Sequence, residues 1–279
     1  MKSIENIHEI TKAMEMIAAF RFKKAENRFS RSKPYFQEIA RLASNLASSS
    51  TDPISHAFFE KRKIEKKSLV VITADKGLCG AYNASLIRAA AQWLRENKDF
   101  ETSLVTVGKI GADTFKKRQT SILFSYPEKS KADLRMAKKI SEDLTGAFLK
   151  KKTDSIEILY AALKIGGTGQ ILIKPFMGLD RLAERSKEEK KLKTVDYIYE
   201  PGYAQVFPEV IQRYIESEIF SVLLESLASE YNARRVAMKQ ATDNGEEVLD
   251  NLRILRNKTR QATITRELSE IVSGASVLV

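Results

Sequence analysis

The chain has 279 residues, a formal net charge of +11 and 43% hydrophobic residues. That length suffices for one large or two ordinary domains, and the positive charge calls for an acidic partner such as nucleic acid, anionic lipid or acidic protein loops. Cys79 is the only cysteine, and His8 and His56 are the only histidines, which excludes an internal disulfide and a cysteine or histidine zinc cluster. No uncharged run approaches the roughly 20 residues that cross a bilayer. We therefore expect a soluble or peripheral protein with no metal and no cofactor.

Residues 1–57 are predicted to form one long helix. Apolar and small residues recur there at steps of four and three, as they do in the seam of a coiled coil. Pro34 lies within this pattern, and we predict a kinked but continuous helix. The seam positions are Ala18, Phe22, Ala25, Phe29, Ser32, Phe36, Ile39, Ala43 and Leu46, preceded in another phase by Ile4, Ile7 and Met14.

Residues 58–205 are predicted to form an inserted α/β domain. Apolar runs that read as strands alternate with helical stretches near 82–97, 109–119 and 130–152, a βαβα pattern typical of a Rossmann-like sheet. The runs are SLVVITA (68–74), SLVTVG (103–108), SILFSY (121–126) and SIEILYAAL (155–163). QILIKPFMGL and TVDYIYEP are predicted to add further strands, and RLAERSKEEKKLK between them reads as a charged connector.

Residues 206–279 are predicted to form a second long helix, because no proline follows Pro208. At 1.5 Å per residue its roughly 70 residues would span about 100 Å, far more than a globule of this size allows. The helix must project, and its apolar stripe is expected to pair antiparallel with the amino-terminal helix. The predicted seam is Phe220, Leu224, Leu227, Tyr231, Arg234, Met238, Ala241, Gly245, Val248, Leu252, Leu255, Thr259 and Ala262.

The stretch TADKGLCGAYN, residues 73–83, follows a strand and resembles a nucleotide-binding loop only superficially. A phosphate loop needs GxxxxGK[ST], whereas here Lys76 precedes Gly77 and no serine or threonine stands at the required place after Gly80. Cys79 is expected to pack under this turn rather than attack a substrate. A GxGxxG fingerprint fails too, since the other close glycines belong to a predicted hairpin turn: Gly166, Gly167 and Gly169.

Two basic bands lie on the predicted long helices. The first band has no acidic residue among its neighbours in the sequence and consists of Arg253, Arg256, Lys258 and Arg260. A similar band on the first helix consists of Arg21, Lys23, Lys24 and Arg28. A solvated face explains such a run most simply, and an acidic partner is the alternative. Nucleic acid would be one such partner, although no aromatic side chains alternate with either band for base stacking.

The carboxyl end EIVSGASVLV has no charged side chain after Glu270. Chain ends are normally polar. Its apolar residues continue the helical spacing in a shifted phase, so they face something other than the first helix, and we predict that they enter an apolar sleeve in a partner. These residues are Ile264, Leu268, Ile271, Ala275 and Leu278.

Four stretches together resemble the gamma subunit of F-type ATP synthases: ITKAMEMIAA (10–19), DKGLCGAYN (75–83), VAMKQATDNG (236–245) and RQATITRELSEIVSGA (260–275). The resemblance implies a non-catalytic central-stalk rotor, whose asymmetric shaft turns inside a hexamer of alpha and beta subunits and couples ion flow through a membrane c ring to ATP synthesis or hydrolysis. It also implies an epsilon subunit as partner, no nucleic acid or small-molecule substrate, and a peripheral place on the cytoplasmic face of a bacterial inner or plasma membrane.

The resemblance also assigns residues. It implies contacts with the beta subunit at Met14, Arg234, Lys239, Arg256, Arg260, Gln261 and Thr265. It places Ile271, Val272, Ala275 and Leu278 in the apolar bearing of the hexamer, and Tyr199 and Glu200 on the membrane-ring side. Two other classes stay open: a coiled-coil scaffold whose inserted domain binds nucleic acid, and an enzyme centred on Cys79.

Overall fold

The computed structural model describes residues 1–49, 63–164, 169–176, 200 and 202–276. It has an α/β sheet domain between two long terminal helices, as the sequence predicts. In chain order the elements are α1 (Lys2–Ser49), β1 (Lys66–Ile72), α2 (Tyr82–Glu96), β2 (Glu101–Val107), α3 (Lys109–Lys117), β3 (Ile122–Tyr126), a short 3-10 turn (Lys129–Lys131), α4 (Leu134–Leu149), β4 (Ser155–Ala162), β5 (Gln170–Pro175) and α5 (Tyr203–Ser276).

Helices α1 and α5 pair antiparallel as a coiled coil. The contacts run in opposite order along the two helices: the Tyr203 hydroxyl donates to the Leu46 carbonyl at 2.9 Å, the Phe36 and Phe220 rings meet edge to face at 5.9 Å, and the Thr242 hydroxyl donates to that of Thr11 at 3.1 Å. The predicted continuity of the first helix is confirmed, because α1 runs through Pro34. All nine predicted seam positions from Ala18 to Leu46 are buried or half-buried.

The predicted seam of α5 is wrong in its last part. Val248 is 44% exposed, whereas its neighbour Leu249 is 5% exposed and faces α1. Leu255 is exposed, as are Thr259 and Ala262. All side chains of α5 from Arg253 to Ile271 are exposed. On α1, Ile7 is also exposed, contrary to prediction, and the half-buried His8 lies against Gly245 instead.

Among the described residues the sheet has five strands in the order β3-β2-β1-β4-β5. The first four strands are parallel, and β5 joins antiparallel to β4. The four predicted strands and the strand in QILIKPFMGL are therefore confirmed. Central strand β1 is buried on both faces from Ser68 to Ile72, which explains why its sequence is a continuous apolar run instead of an alternating one.

The two faces of the sheet are covered differently. Val70 and Ile72 point to a core shared with α4, the carboxyl half of α1 and the first half of α5. Leu69 and Val71 point to a second core, formed mainly with α2 and α3. The base of the coiled coil and the α/β domain are thus parts of one apolar core, and the sheet is anchored directly on α5.

Several predictions fall outside the described residues. They are the segment boundary at 57/58, the connector, the strand in TVDYIYEP, His56, Gly166 and Gly167. The division of the chain at 57/58 and 205/206 stays a prediction. Within the part of the chain that is described, no helix combines the length and the apolarity needed to cross a bilayer.

Candidate functional site

The turn from β1 to α2 docks on the middle of α5. Leu78 and Gly80 both adopt left-handed backbone conformations, with φ of 60° and 58°, and glycine is the residue that tolerates this at no steric cost. A Cβ on Gly80 would lie 3.6 Å from the Ala237 side chain, in ordinary contact. The turn therefore packs against the long helix and is not open around a phosphate.

Arg234 of α5 binds the carbonyl groups of this turn. Its Nη2 donates to the carbonyls of Lys76 at 3.1 Å and Gly77 at 3.3 Å, and its Nη1 donates to Glu230 Oε1 at 2.8 Å. A phosphate site would present backbone N–H groups instead. The guanidinium is only 13% exposed, so it is largely engaged inside the chain. Its predicted contact with a beta subunit stays a prediction.

Lys129, in the 3-10 turn, is a buried charge that the sequence analysis did not identify. Its Nζ lies 2.7 Å from Glu230 Oε2, and it donates to the Tyr82 hydroxyl at 3.1 Å and to Ser226 Oγ at 3.3 Å. Burial by itself would lower the pKa of Lys129, but the Glu230 carboxylate and the Tyr82 oxygen outweigh burial and hold that pKa above its ordinary value. The lysine is therefore charged and fully bonded inside the protein.

Asp75 ties the two turns of the α/β domain together. Its Oδ1 accepts from the backbone N–H of Lys129 at 2.9 Å, and its Oδ2 accepts from that of Ser130 at 2.7 Å. The 3-10 turn is thereby held against the turn that follows β1. We call the connected set the polar joint; its members are Asp75, Lys76, Gly77, Tyr82, Lys129, Ser226, Glu230 and Arg234.

A cleft of about 610 Å³ lies between α1 and the polar joint. Met14 and Leu78 are among its apolar lining residues. The Tyr231 ring lies there between two guanidinium groups, that of Arg21 on α1 and that of Arg234 on α5, each 5.9 Å from the ring centroid. Such cation–π contacts add to the attachment of α1 to α5. The fold thus brings Met14 and Arg234 together in one cleft.

Cys79 packs under the turn, as predicted. It is 2% exposed, and the Asn83 side-chain amide donates to its sulfur at 3.2 Å. Burial raises the pKa of the Cys79 thiol above its ordinary value, and the thiol form is a poor nucleophile. Both features argue against an enzyme that uses this cysteine.

The other predicted contact residues lie apart from the cleft, along the exposed end of α5. We call residues 253–276 the distal segment. Lys239 precedes it and is exposed, and Arg256, Arg260, Gln261 and Thr265 are exposed within it. Ile271 is 68% exposed. The side chains of Val272 and Ala275, and the residues Leu278 and Tyr199, lie outside the description, whereas Glu200 is described and exposed.

Known proteins resemble this chain along its whole length. A family profile described as ATP synthase matches residues 1–278. The protein named ATP synthase gamma chain from Protochlamydia amoebophila is 34% identical over 279 residues, covering 100% of this chain and 96% of the relative. The protein of the same name from Halothermothrix orenii is also 34% identical over 279 residues, with the same coverage.

Solved structures share the fold. A chain in the cryo-EM structure of Euglena gracilis mitochondrial ATP synthase, OSCP/F1/c-ring, superposes with a TM-score of 0.67 at 19% identity and covers 99% of this chain and 91% of that chain. A chain in the central stalk/c-ring structure of Tetrahymena thermophila mitochondrial ATP synthase gives a TM-score of 0.63 at 21% identity, with coverage of 84% and 99%.

Proposed function

The chain belongs to the ATP synthase gamma chain family, and on that premise we propose that it is the central-stalk rotor subunit of an F-type ATP synthase. It couples ion flow through the membrane c ring to ATP synthesis or hydrolysis at sites on the beta subunits. Its partners are the alpha and beta subunits of the hexamer, the epsilon subunit and the c ring. It works as a peripheral membrane protein on the cytoplasmic face of a bacterial inner or plasma membrane.

The observation that carries this proposal is the distal segment of α5, whose side chains are exposed from Arg253 to Ile271. Single helices of this kind are rarely stable in water without a partner surface. The segment exposes Ile264, Leu268 and Ile271 together with its arginines. A hexamer with an apolar bearing would cover the apolar side chains, and acidic beta loops would meet the basic ones.

A rotor needs no active site of its own. An asymmetric shaft offers each beta subunit different contacts at any one angle, and only differential contacts shift a conformational equilibrium. One long helix paired over part of its length with a shorter one has no threefold symmetry. Turning such a shaft therefore changes the contacts of each beta subunit in sequence, and each site passes through states that bind, form and release ATP.

The competing scaffold that binds nucleic acid gains no support from the distal segment. Residues 253–276 contain no phenylalanine, tyrosine or tryptophan. Single-stranded nucleic acid is held by aromatic stacking as well as by charge. An acidic protein surface matches an aromatic-free basic helix better.

The test is reconstitution with purified alpha and beta subunits, with ATP hydrolysis as the measurement. Three chains are compared: the intact chain, a chain truncated after Glu270, and Arg260→Ala with Gln261→Ala. We expect hydrolysis to depend on the added chain and to fall by about tenfold in the double variant, since about 1.4 kcal/mol of lost contact in the transition state has that effect. Lys138→Ala, which removes an exposed lysine on α4, is the matched control.

Hydrolysis that is equally fast without the chain, or with all its variants, would contradict the rotor proposal. Binding of labelled single-stranded DNA by the intact chain at physiological salt would then favour the scaffold.

A further inference from the structure

A row of three alternating charges crosses the boundary between the α/β domain and the coiled coil. Lys129 belongs to the domain, and Glu230 and Arg234 belong to α5. The Glu230 carboxylate bridges the two cations, with one oxygen 2.7 Å from Lys129 Nζ and the other 2.8 Å from Arg234 Nη1. Arg234 then returns to the domain by donating to the carbonyls of Lys76 and Gly77. The row begins and ends in the domain and passes through the helix.

This row is shielded from water and fully bonded. The side chains of Lys129 and Glu230 are 1% and 7% exposed, so neither is placed to meet a partner subunit. Removing Lys129 would leave Glu230 paired with Arg234, but it would take away the cation that bonds the second carboxylate oxygen, the Tyr82 hydroxyl and Ser226 Oγ, and buried polar atoms that lose a partner are costly. Satisfied buried networks of this kind also select one geometry over its neighbours.

The apolar core and the polar joint restrain α5 in different ways. Hydrophobic contacts are non-directional, and the core holds the helix through close packing against the sheet. Hydrogen bonds and ion pairs depend on distance and angle, and those of the polar joint are lost if α5 rotates against the domain. The joint therefore adds a directional restraint to the packing of the core.

We propose that Lys129 is a positioning residue: through Glu230 it holds Arg234 on the turn after β1 and so makes the α/β domain and α5 rotate as one body. The inference rests on the proposed rotor function. The polar joint is then the place where torque passes between the domain and the shaft.

The first test is amide hydrogen exchange on the full-length chain. We expect Lys129→Met to raise the exchange rates of the backbone amides of residues 129 and 130, and of the turn after β1, by about tenfold or more, because the 3-10 turn then loses the side-chain bonds that anchor it to α5, and its amides open more often from Asp75. Lys138→Met removes an exposed lysine that lies 3.8 Å from Glu142 and should change nothing. Phe115→Leu changes the second core, which the sheet forms with α2 and α3, and controls for general destabilisation.

Equal exchange in Lys129→Met and Lys138→Met would overturn the proposal. So would faster exchange in Lys129→Met that Phe115→Leu reproduces at the same amides. If Lys129→Met fails to fold, Lys129→Gln carries the test, because Glu230 keeps its ion pair with Arg234 and the amide N–H can still donate inside the site while the cation is lost. This variant should fold and should still exchange faster at the turn.

The second test uses the assembled complex, with a bead on the α/β domain and the hexamer fixed to a surface. We expect Lys129→Met to widen the angular fluctuations of the bead during each pause, a loss of torsional stiffness, while the control variants leave them unchanged. Rotation with unchanged angular fluctuations in Lys129→Met would contradict the positioning role of Lys129, while the rotor function would still be supported. Absence of rotation with the intact chain would contradict the proposed rotor function. The exchange experiment would still test whether Lys129 holds the α/β domain on α5.

Discussion

Cys79 shows how one residue can be assigned from its surroundings. The thiol lies under the turn after β1 and accepts from the Asn83 amide, and burial raises its pKa above the ordinary 9.0, although Arg234 nearby acts in the opposite direction. The folded state thus favours the protonated thiol. Unfolding exposes the sulfur to water and lets it ionise at its ordinary pKa.

This difference predicts how stability depends on pH. The contribution is fully present below the unfolded pKa, near 9.0, and is lost as the pH rises towards the higher pKa of the folded state. We expect the free energy of unfolding in urea to fall more steeply between pH 8.5 and 10 in the natural chain than in Cys79→Ala. Parallel curves for the two proteins would show that the thiol keeps its ordinary pKa when folded.

Lys129 marks the limit of residue-level prediction. Its sequence neighbourhood, PEKSKAD, is charged and suggests a solvated loop. Its partner Glu230 lies on a helix far along the chain, and only the packing of α5 on the sheet brings the two within 2.7 Å. Cys79 was predictable because the local turn decides its place, whereas the burial of Lys129 depends on a long-range contact.

At the scale of elements, the seam of α5 shows what periodicity can and cannot decide. Steps of four and three predict the pairing of the helices correctly up to Met238. Beyond it, Ala241 and Thr242 compete for the seam, and counting apolar residues favours alanine. Thr242 is nevertheless the buried one, since its hydroxyl bonds to the Met238 carbonyl and to Thr11. The phase shifts by one, and Leu249 replaces Val248 at the interface.

The shifted phase gives a matched pair of mutations. Leu249→Ala removes a buried side chain against α1 and should lower the free energy of unfolding by about 2 kcal/mol or more. Val248→Ala removes a half-exposed side chain one position away and should change it by less than about 0.5 kcal/mol. Thermal and urea unfolding of the two variants measure the difference. A larger loss in Val248→Ala would restore the seam predicted from the sequence.

At the scale of the whole molecule, the architecture was predictable because its signals are long. About 70 residues without proline must extend far beyond a globule, and five apolar runs between the long helices predict the strands of the sheet. The order β3-β2-β1-β4-β5 was not predictable in the same way, since neighbours in a parallel sheet are chosen by packing. The carboxyl end of α5 was predicted to face something other than the first helix, whereas the exposure of Leu255, Thr259 and Ala262 was not predicted, because their spacing continues the seam.

The distal segment of α5 should be the least stable part of the isolated chain. Its side chains are exposed from Arg253 to Ile271, so it buries little apolar surface, and helices of this length are marginal in water without such packing. Trypsin can cut after Arg256, Lys258, Arg260 and Arg266. We expect these bonds to be cleaved at least about tenfold faster in the isolated chain than in its complex with alpha and beta subunits, because cleavage follows local opening.

The arginines of the paired stretch, Arg234 and Arg235, should resist cleavage in both states. Equal cleavage of the distal segment in the free and assembled protein would contradict its insertion into the hexamer.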